Sequence, residues 1–378
     1  MTPHSTSRDH GGPAIDGLCV STYTVPTDAP EADGTLSWDS TDVVLVEARA
    51  GGLTGTGWTY APAPCAEVVR ALLEPVVTGA SALDVPGIAV AMHRAVRNAP
   101  RVGLVGYAIA AVDCALWDLK ARILDVSLAS LLGRVREDVA VYGSGGFVSY
   151  SPAQLDQQLT RWVADQQMSR VKIKIGHGPA DAPDLAADRD WIRRARAVVG
   201  EDVELFVDAN GAYQATQAVR LMKDVADARV TWFEEPVSSD HLDQMARVRN
   251  ALDIDVAAGE YGTDLFYFQR MCASGAVDCL QLDISRCGGI TQWQRIAAVA
   301  AAHGLEVSGH CAPHLSAAAA ASTPNLRHLE WFHDHVRIEH MFFDGSSDPS
   351  GGRITPRAGS PGHGLLLRAS DVAGYRTS

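Results

Sequence analysis

The sequence predicts an α/β chain, a (β/α)8-type (modified TIM) barrel with an α+β N-terminal capping domain. Three observations predict it. Short apolar runs alternate with helical segments over most of the chain, and a polar or charged residue closes nearly every run. Starting from Lys174, the closing residues Asp208, Glu234, Glu260, Asp283, His310 and Glu330 follow at steps of 34, 26, 26, 23, 27 and 20. Each step is about one strand, one helix and two loops.

The length of 378 residues fits a barrel of roughly 250 plus a smaller domain. Residues 1–13 are polar without an apolar run, so a disordered leader is expected there rather than a signal peptide. Residues 14–130 read as the capping domain. DVVLVEARA alternates as a strand does, and Gly51-Gly52 turns it into TGTGWTYA as a hairpin partner. CAEVVRALLEPVV, PGIAVAMHRAV and GLVGYAIAAVDCALWDLKARIL read as helices, the last with Ile109, Val112, Ala115, Leu116 and Leu119 on one face. TYTVPTDAPEADGTLSW, through its Asp, Glu and Gly content, reads as a mobile polar loop.

Residues 131–335 read as the barrel. Its strands are expected near 139–142, 171–175, 203–207, 230–233, 256–258, 280–282, 306–308 and 326–329. Helices separate them, one opened by Ser151-Pro152, where Ser can cap and Pro suits the first helical position. Parallel strands alternating with helices bury the sheet on both faces, and catalytic groups gather at the C-terminal strand ends. Residues 336–378 are a Gly- and Pro-rich tail.

A net charge of -13 argues against nucleic acid or an anionic membrane as partner. No segment approaches 18 apolar residues of membrane character. The seven cysteines are odd in number and lack CxxC spacing, which points to reduced thiols and a cytoplasmic location. No glycine-rich dinucleotide fingerprint follows a strand, which argues against a Rossmann domain.

Asp208, Glu234 and Glu260 end successive strands and should converge on one mouth of the barrel. Like charges so placed repel unless a cation sits among them. All-oxygen ligation with room for water and substrate suits Mg2+. Lys172 and Lys174 share one strand face, while Val171, Ile173 and Ile175 take the other, so both lysines should point into the barrel. A neighbouring cation should lower the pKa of Lys174 and make it a general base. Asp283 and His310 end adjacent strands, close enough for the carboxylate to fix the imidazole tautomer.

These motifs together resemble the enolase superfamily, and within it the mandelate racemase/muconate lactonizing enzyme family. VKIKIG is similar to its Lys-x-Lys strand; VDANGAY, WFEEP and AAGE to its three magnesium strands; LDISRCGGIT and VSGHCAPHLS to its Asp and His strands. The residues alone do not separate Glu234 from Glu235 in WFEEP; the resemblance implies Glu234, with Asp208 and Glu260, as magnesium ligands and Lys174 as a base, with Lys172 beside it on the substrate carboxylate. It implies Asp283 and His310 as an acid–base dyad on the opposite face, and Glu330 as the hydrogen-bond partner of the developing enolate. Asn210 would touch the substrate carboxylate or a metal-bound water. The 22–38 loop and the Trp58–Tyr60 loop would lie over the mouth as a specificity lid. Arg286 and His314, which have no fixed role in the family, would lie near enough to read substrate hydroxyls. The tail would return to the N-terminal domain, and a homo-oligomer, dimer to octamer, is expected.

A small carboxylate partner follows, its α-proton removed with metal stabilisation of the enediolate. Dehydration of an aldonate or aldarate is the favoured outcome. Racemisation, epimerisation or lactone cycloisomerisation of a hydroxy acid is the alternative, and a non-catalytic sugar-acid-binding barrel the remote one.

Overall fold

The computed structural model describes residues 11–179 and 181–378. Ten of the thirteen residues expected as a leader lie outside that range.

Strands β1 (Gly17–Ala32), β2 (Ser37–Ala50) and β3 (Leu53–Thr59) form an antiparallel sheet in that order. The helix Leu104–Ile123 packs on it. Gly55 and Gly57 permit this approach, since a Cβ on Gly55 would lie 2.2 Å from the Leu119 nitrogen and one on Gly57 2.3 Å from the Ala111 oxygen. The 22–38 segment, expected as a loop, is instead mostly strand. Thr22, Thr24 and Val25 are β-branched and pair with Val44, Asp42 and Thr41. The register breaks only between Pro26 and Glu31, where proline withholds a ladder donor. The turn itself is confined to residues 33–36.

Eight parallel strands follow: β4 (Val139–Gly145), β5 (Arg170–Lys174), β6 (Glu204–Asp208), β7 (Val230–Glu234), β8 (Asp255–Ala258), β9 (Cys279–Leu282), β10 (Glu306–Gly309) and β11 (Leu326–Phe332). They pair in sequence order, and β11 pairs with β4 to close the barrel. Each lies within three residues of its expected bounds. Ser151 and Gln154 form a capping box at the helix after β4.

Register sets the site. Lys174 pairs with Asp208, and Asp208 with Glu234, so these side chains stand at one level. Two residues earlier on the same inward faces, Phe206 and Trp232 form with Tyr142 of β4 a buried aromatic floor joined by Ala257 and Cys279. His328 stacks into that floor, 4.7 Å from the Tyr142 ring centroid.

The C-terminal chain returns to the N-terminal region. The Thr377 nitrogen donates to the Thr22 oxygen at 2.8 Å, and the Leu128 nitrogen to the Gly362 oxygen at 2.7 Å.

Candidate active site

Backbone strain marks the C-terminal ends of the barrel strands. Asn210, Glu235, Cys311 and Ala312 all have left-handed φ, from 37° to 48°, immediately beyond strand ends. Such conformations cost on the order of 1–3 kcal/mol each and persist where surrounding structure enforces them. Gly259 supplies the same freedom before Glu260, because a Cβ there would meet the Gln281 oxygen at 2.2 Å.

Asp208, Glu234 and Glu260 are buried, and their oxygens come within 4.8 Å of one another. Asp208 accepts from Lys174 Nζ at 2.5 Å and from the Asn210 nitrogen at 2.9 Å. Glu234 accepts from Lys172 Nζ at 2.5 Å and from Trp232 Nε1 at 3.0 Å. Glu260 Oε2 is buried without a hydrogen bond, and His310 Nε2 stands 3.3 Å from it. An all-oxygen set with a buried, unpartnered carboxylate oxygen fits a hard divalent cation. Burial and then the Asp208 charge push the Glu234 carboxyl up to about 8.

Lys172 lies between Glu234 and Glu330, 2.8 Å from Glu330 Oε1, and is wholly buried. The structure does not bring it to the cavity, since the carboxylate layer covers it. The neighbouring cation, Lys172, does work to lower the pKa of Lys174, but the net shift is upward. Burial opposes its charge most strongly, but the carboxylates around it, Asp208 first and then Glu260 and Glu234, together raise the pKa above the usual lysine value. The sequence shows the second lysine but not the contact with Asp208.

His310 Nδ1 meets Asp283 Oδ2 at 2.8 Å, and the Ser285 nitrogen and hydroxyl bind Asp283 Oδ1 at 2.7 and 2.6 Å. Burial works against the imidazolium, yet the charges around it, including Glu260 and Glu330, raise its pKa well above the ordinary histidine value. Glu330 accepts from the Ser144 hydroxyl at 2.6 Å and from the Cys311 nitrogen at 2.9 Å.

A cavity of about 360 Å3 opens above this layer, lined by Lys174, Asn210, Glu260, His310, Arg286 and Tyr60 together with Ser40, Thr41 and Asp42 of β2. Arg286 Nε lies 3.3 Å from Asp283 and its ring-facing guanidinium 5.9 Å from the Tyr261 centroid. Tyr60, just past the end of β3, stacks on His335 with centroids 3.4 Å apart.

Two residues expected at the mouth are not there. Trp58 lies inside β3 and packs its ring on Phe343, 4.4 Å away, in the N-terminal core. His314 sits in the first turn of the helix Pro313–Ala321, which carries it outward to Glu339 at 2.6 Å and the Ser347 oxygen at 3.0 Å. Sequence reasoning missed Ser144, Ser285 and Trp232. Trp232 was accessible, being two before Glu234 on the same strand face; Ser144 required knowing that β4 closes on β11.

Comparison with known proteins identifies the family. Residues 154–371 match the model for the enolase C-terminal domain-like family, and residues 20–133 that for the mandelate racemase/muconate lactonizing enzyme N-terminal domain. The chain is 33% identical to D-galactarolactone cycloisomerase of Agrobacterium fabrum, over 75% of this chain and 74% of that one. It is 30% identical to L-talarate/galactarate dehydratase of Salmonella typhimurium, over 76% and 73%. The crystal structure of a mandelate racemase/muconate lactonizing enzyme-like protein from Rubrobacter xylanophilus superposes with a TM-score of 0.92 at 44% identity, covering 97% of this chain and 100% of that one. A racemase from Streptomyces coelicolor A3(2) with bound magnesium gives 0.89 at 28% identity, covering 96% and 100%. With both halves of the chain matched and the strand-end residues converging on one mouth, this protein belongs to the mandelate racemase/muconate lactonizing enzyme family of the enolase superfamily.

Proposed function

We propose that the chain removes the α-proton of a small carboxylate with the help of magnesium, and that its reaction is dehydration of an acid sugar, an aldonate or aldarate. The observation that carries this is the opening of two proton-transfer groups, Lys174 and His310, onto one cavity beside a buried carboxylate trio.

Asp208, Glu234 and Glu260 would hold the ion. When bound, magnesium supplies a Lewis acid for the substrate carboxylate, which makes the α-proton more acidic. Lys174 Nζ, neutral once Asp208 turns from it to the ion, or neutral His310 Nε2 would accept that proton, according to the configuration at the α-carbon. Protonated His310 then donates from Nε2 to a β-hydroxyl, which leaves as water and gives a 2-keto-3-deoxy acid. Asp283 holds the imidazole through Nδ1, and Glu330 hydrogen-bonds the developing enolate. Asn210 and Arg286 orient the substrate from the cavity wall, and Tyr60, with Ser40 and Thr41, offers partners for its hydroxyls. Lys172 balances charge beneath the trio. The rim and the N-terminal residues 14–130 act as the lid of a barrel spanning 131–335, with 336–378 tying the two together.

Support comes from relatives whose names specify acid sugars or their lactones and from one solved with magnesium. Proton return by the second group would give racemisation or epimerisation instead, and the cycloisomerase relative keeps lactone chemistry in the same frame. All seven cysteines are unpaired, as in a reducing cytoplasm, and no helix among the described residues is long and apolar enough to cross a membrane. We place the protein there as a homo-oligomer.

Exchange of the substrate α-proton with deuterated water tests this reading. Lys174→Ala should abolish exchange for one configuration and His310→Asn for the other. Unchanged exchange in both variants overturns the assignment of the bases.

A further inference from the structure

We propose that His310, Cys311 and Glu330 form a second metal site, for a thiophilic divalent ion such as zinc, and that an ion held there silences His310. The three side chains are buried and offer nitrogen, sulfur and oxygen within 4.8 Å of one another. His310 Nε2 lies 3.4 Å from Cys311 Sγ, Sγ lies 3.4 Å from Glu330 Oε2, and Nε2 lies 3.6 Å from that oxygen. Zinc bonds of about 2.0–2.3 Å at tetrahedral angles separate such donors by about 3.3–3.8 Å. The triangle already has the size the ion needs.

Two features of the backbone and its surroundings build the triangle. Neighbouring residues in an extended strand point to opposite faces, so consecutive His and Cys side chains meet only because Cys311 leaves β10 with φ at 48°. Asp283 holds Nδ1, which leaves Nε2 facing the sulfur; metal-bound histidines commonly keep their other nitrogen on a carboxylate in this way. His310 and Cys311 also line the mouth cavity, so a fourth position is open to water.

Magnesium, a hard ion, does not compete for a thiol and an imidazole. On binding, the Cys311 thiol proton and the Nε2 proton of His310 pass to solvent as the sulfur–metal and nitrogen–metal bonds form. Nε2 can then neither accept nor donate a proton. This last consequence rests on the proposed function; the binding itself does not.

The test uses the full chain in saturating magnesium, titrated with cobalt(II). One equivalent should produce an intense near-ultraviolet thiolate-to-cobalt band with tetrahedral visible bands, and zinc should displace it. Cys311→Ser and Cys311→Ala should both lose the band and bind cobalt at least tenfold more weakly while still binding magnesium. Absence of the band in the parent, or its persistence in the variants, overturns the site. Zinc should stop α-proton exchange in the parent and need at least tenfold higher concentration in Cys311→Ser. A parent that shows the band yet exchanges normally with zinc bound contradicts the silencing. A parent that exchanges no acid even without zinc contradicts the proposed reaction, and the band alone then decides the site.

Discussion

Asp283→Asn is the most informative single substitution. Asp283 is fully buried, with Oδ2 on His310 Nδ1 at 2.8 Å and Oδ1 on the Ser285 nitrogen and hydroxyl at 2.7 and 2.6 Å. An amide there keeps one acceptor, and the two Ser285 donors claim it. Its NH2 then faces Nδ1, which must become an acceptor, so a neutral His310 carries its proton on Nε2 and cannot take another. The lost charge-assisted hydrogen bond is worth about 1.5–3 kcal/mol, or roughly a 10- to 150-fold fall in kcat at about 1.4 kcal/mol per decade. KM should change little, because Asp283 does not line the cavity. The assay is turnover together with α-deuterium uptake by NMR on a substrate that reacts from the His310 face. A kcat within twofold of the parent would refute the role given to the dyad.

Other outcomes follow from the same geometry. Glu260→Gln should weaken magnesium binding at least tenfold by calorimetric titration, since it removes the charge of the ligand with the free oxygen. Lys172→Met should lower stability to chemical denaturation by about 3–5 kcal/mol, as expected when one partner of a buried ion cluster is removed. Burial pushes the Asp113 carboxyl up to about 7, despite Thr291 donors at 2.9 and 2.6 Å. The folded chain thus keeps a proton that the unfolded chain releases above about pH 4. This contribution to stability is complete below that pH and is lost as pH rises through 7. Denaturation at a series of pH values should show a shallower decline from pH 4 to 7 in Asp113→Asn.

The barrel was legible in the sequence because a parallel strand buried on both faces leaves a short apolar run, and a strand end that faces the mouth leaves a charge after it. Lys172 and Lys174 showed their inward face through Val171, Ile173 and Ile175. What the sequence could not show was depth. Lys172 and Lys174 look equivalent two residues apart, but one is sealed beneath the carboxylates and the other lines the cavity. Trp58 and Tyr60 likewise share parity, and only the end of β3 separates a core ring from a rim ring. His314 follows His310 by four residues, yet the left-handed turn at Cys311 and Ala312 begins a helix that faces it away. The lid segment misled through its Asp, Glu and Gly content, whereas its Thr and Val residues pair along β2. Electrostatics also depended on register, since the Asp208 contact that keeps Lys174 charged exists only because β5 and β6 align those two residues.

Central to the account is metal-assisted α-proton removal from an acid sugar. The direct test is to incubate the protein and magnesium with a panel of aldonic and aldaric acids in deuterated water and follow the products by NMR. We expect a 2-keto-3-deoxy acid from at least one member, lost on chelation and restored by magnesium. Neither keto acid nor α-deuterium from any member, or full activity in metal-free protein, would contradict it.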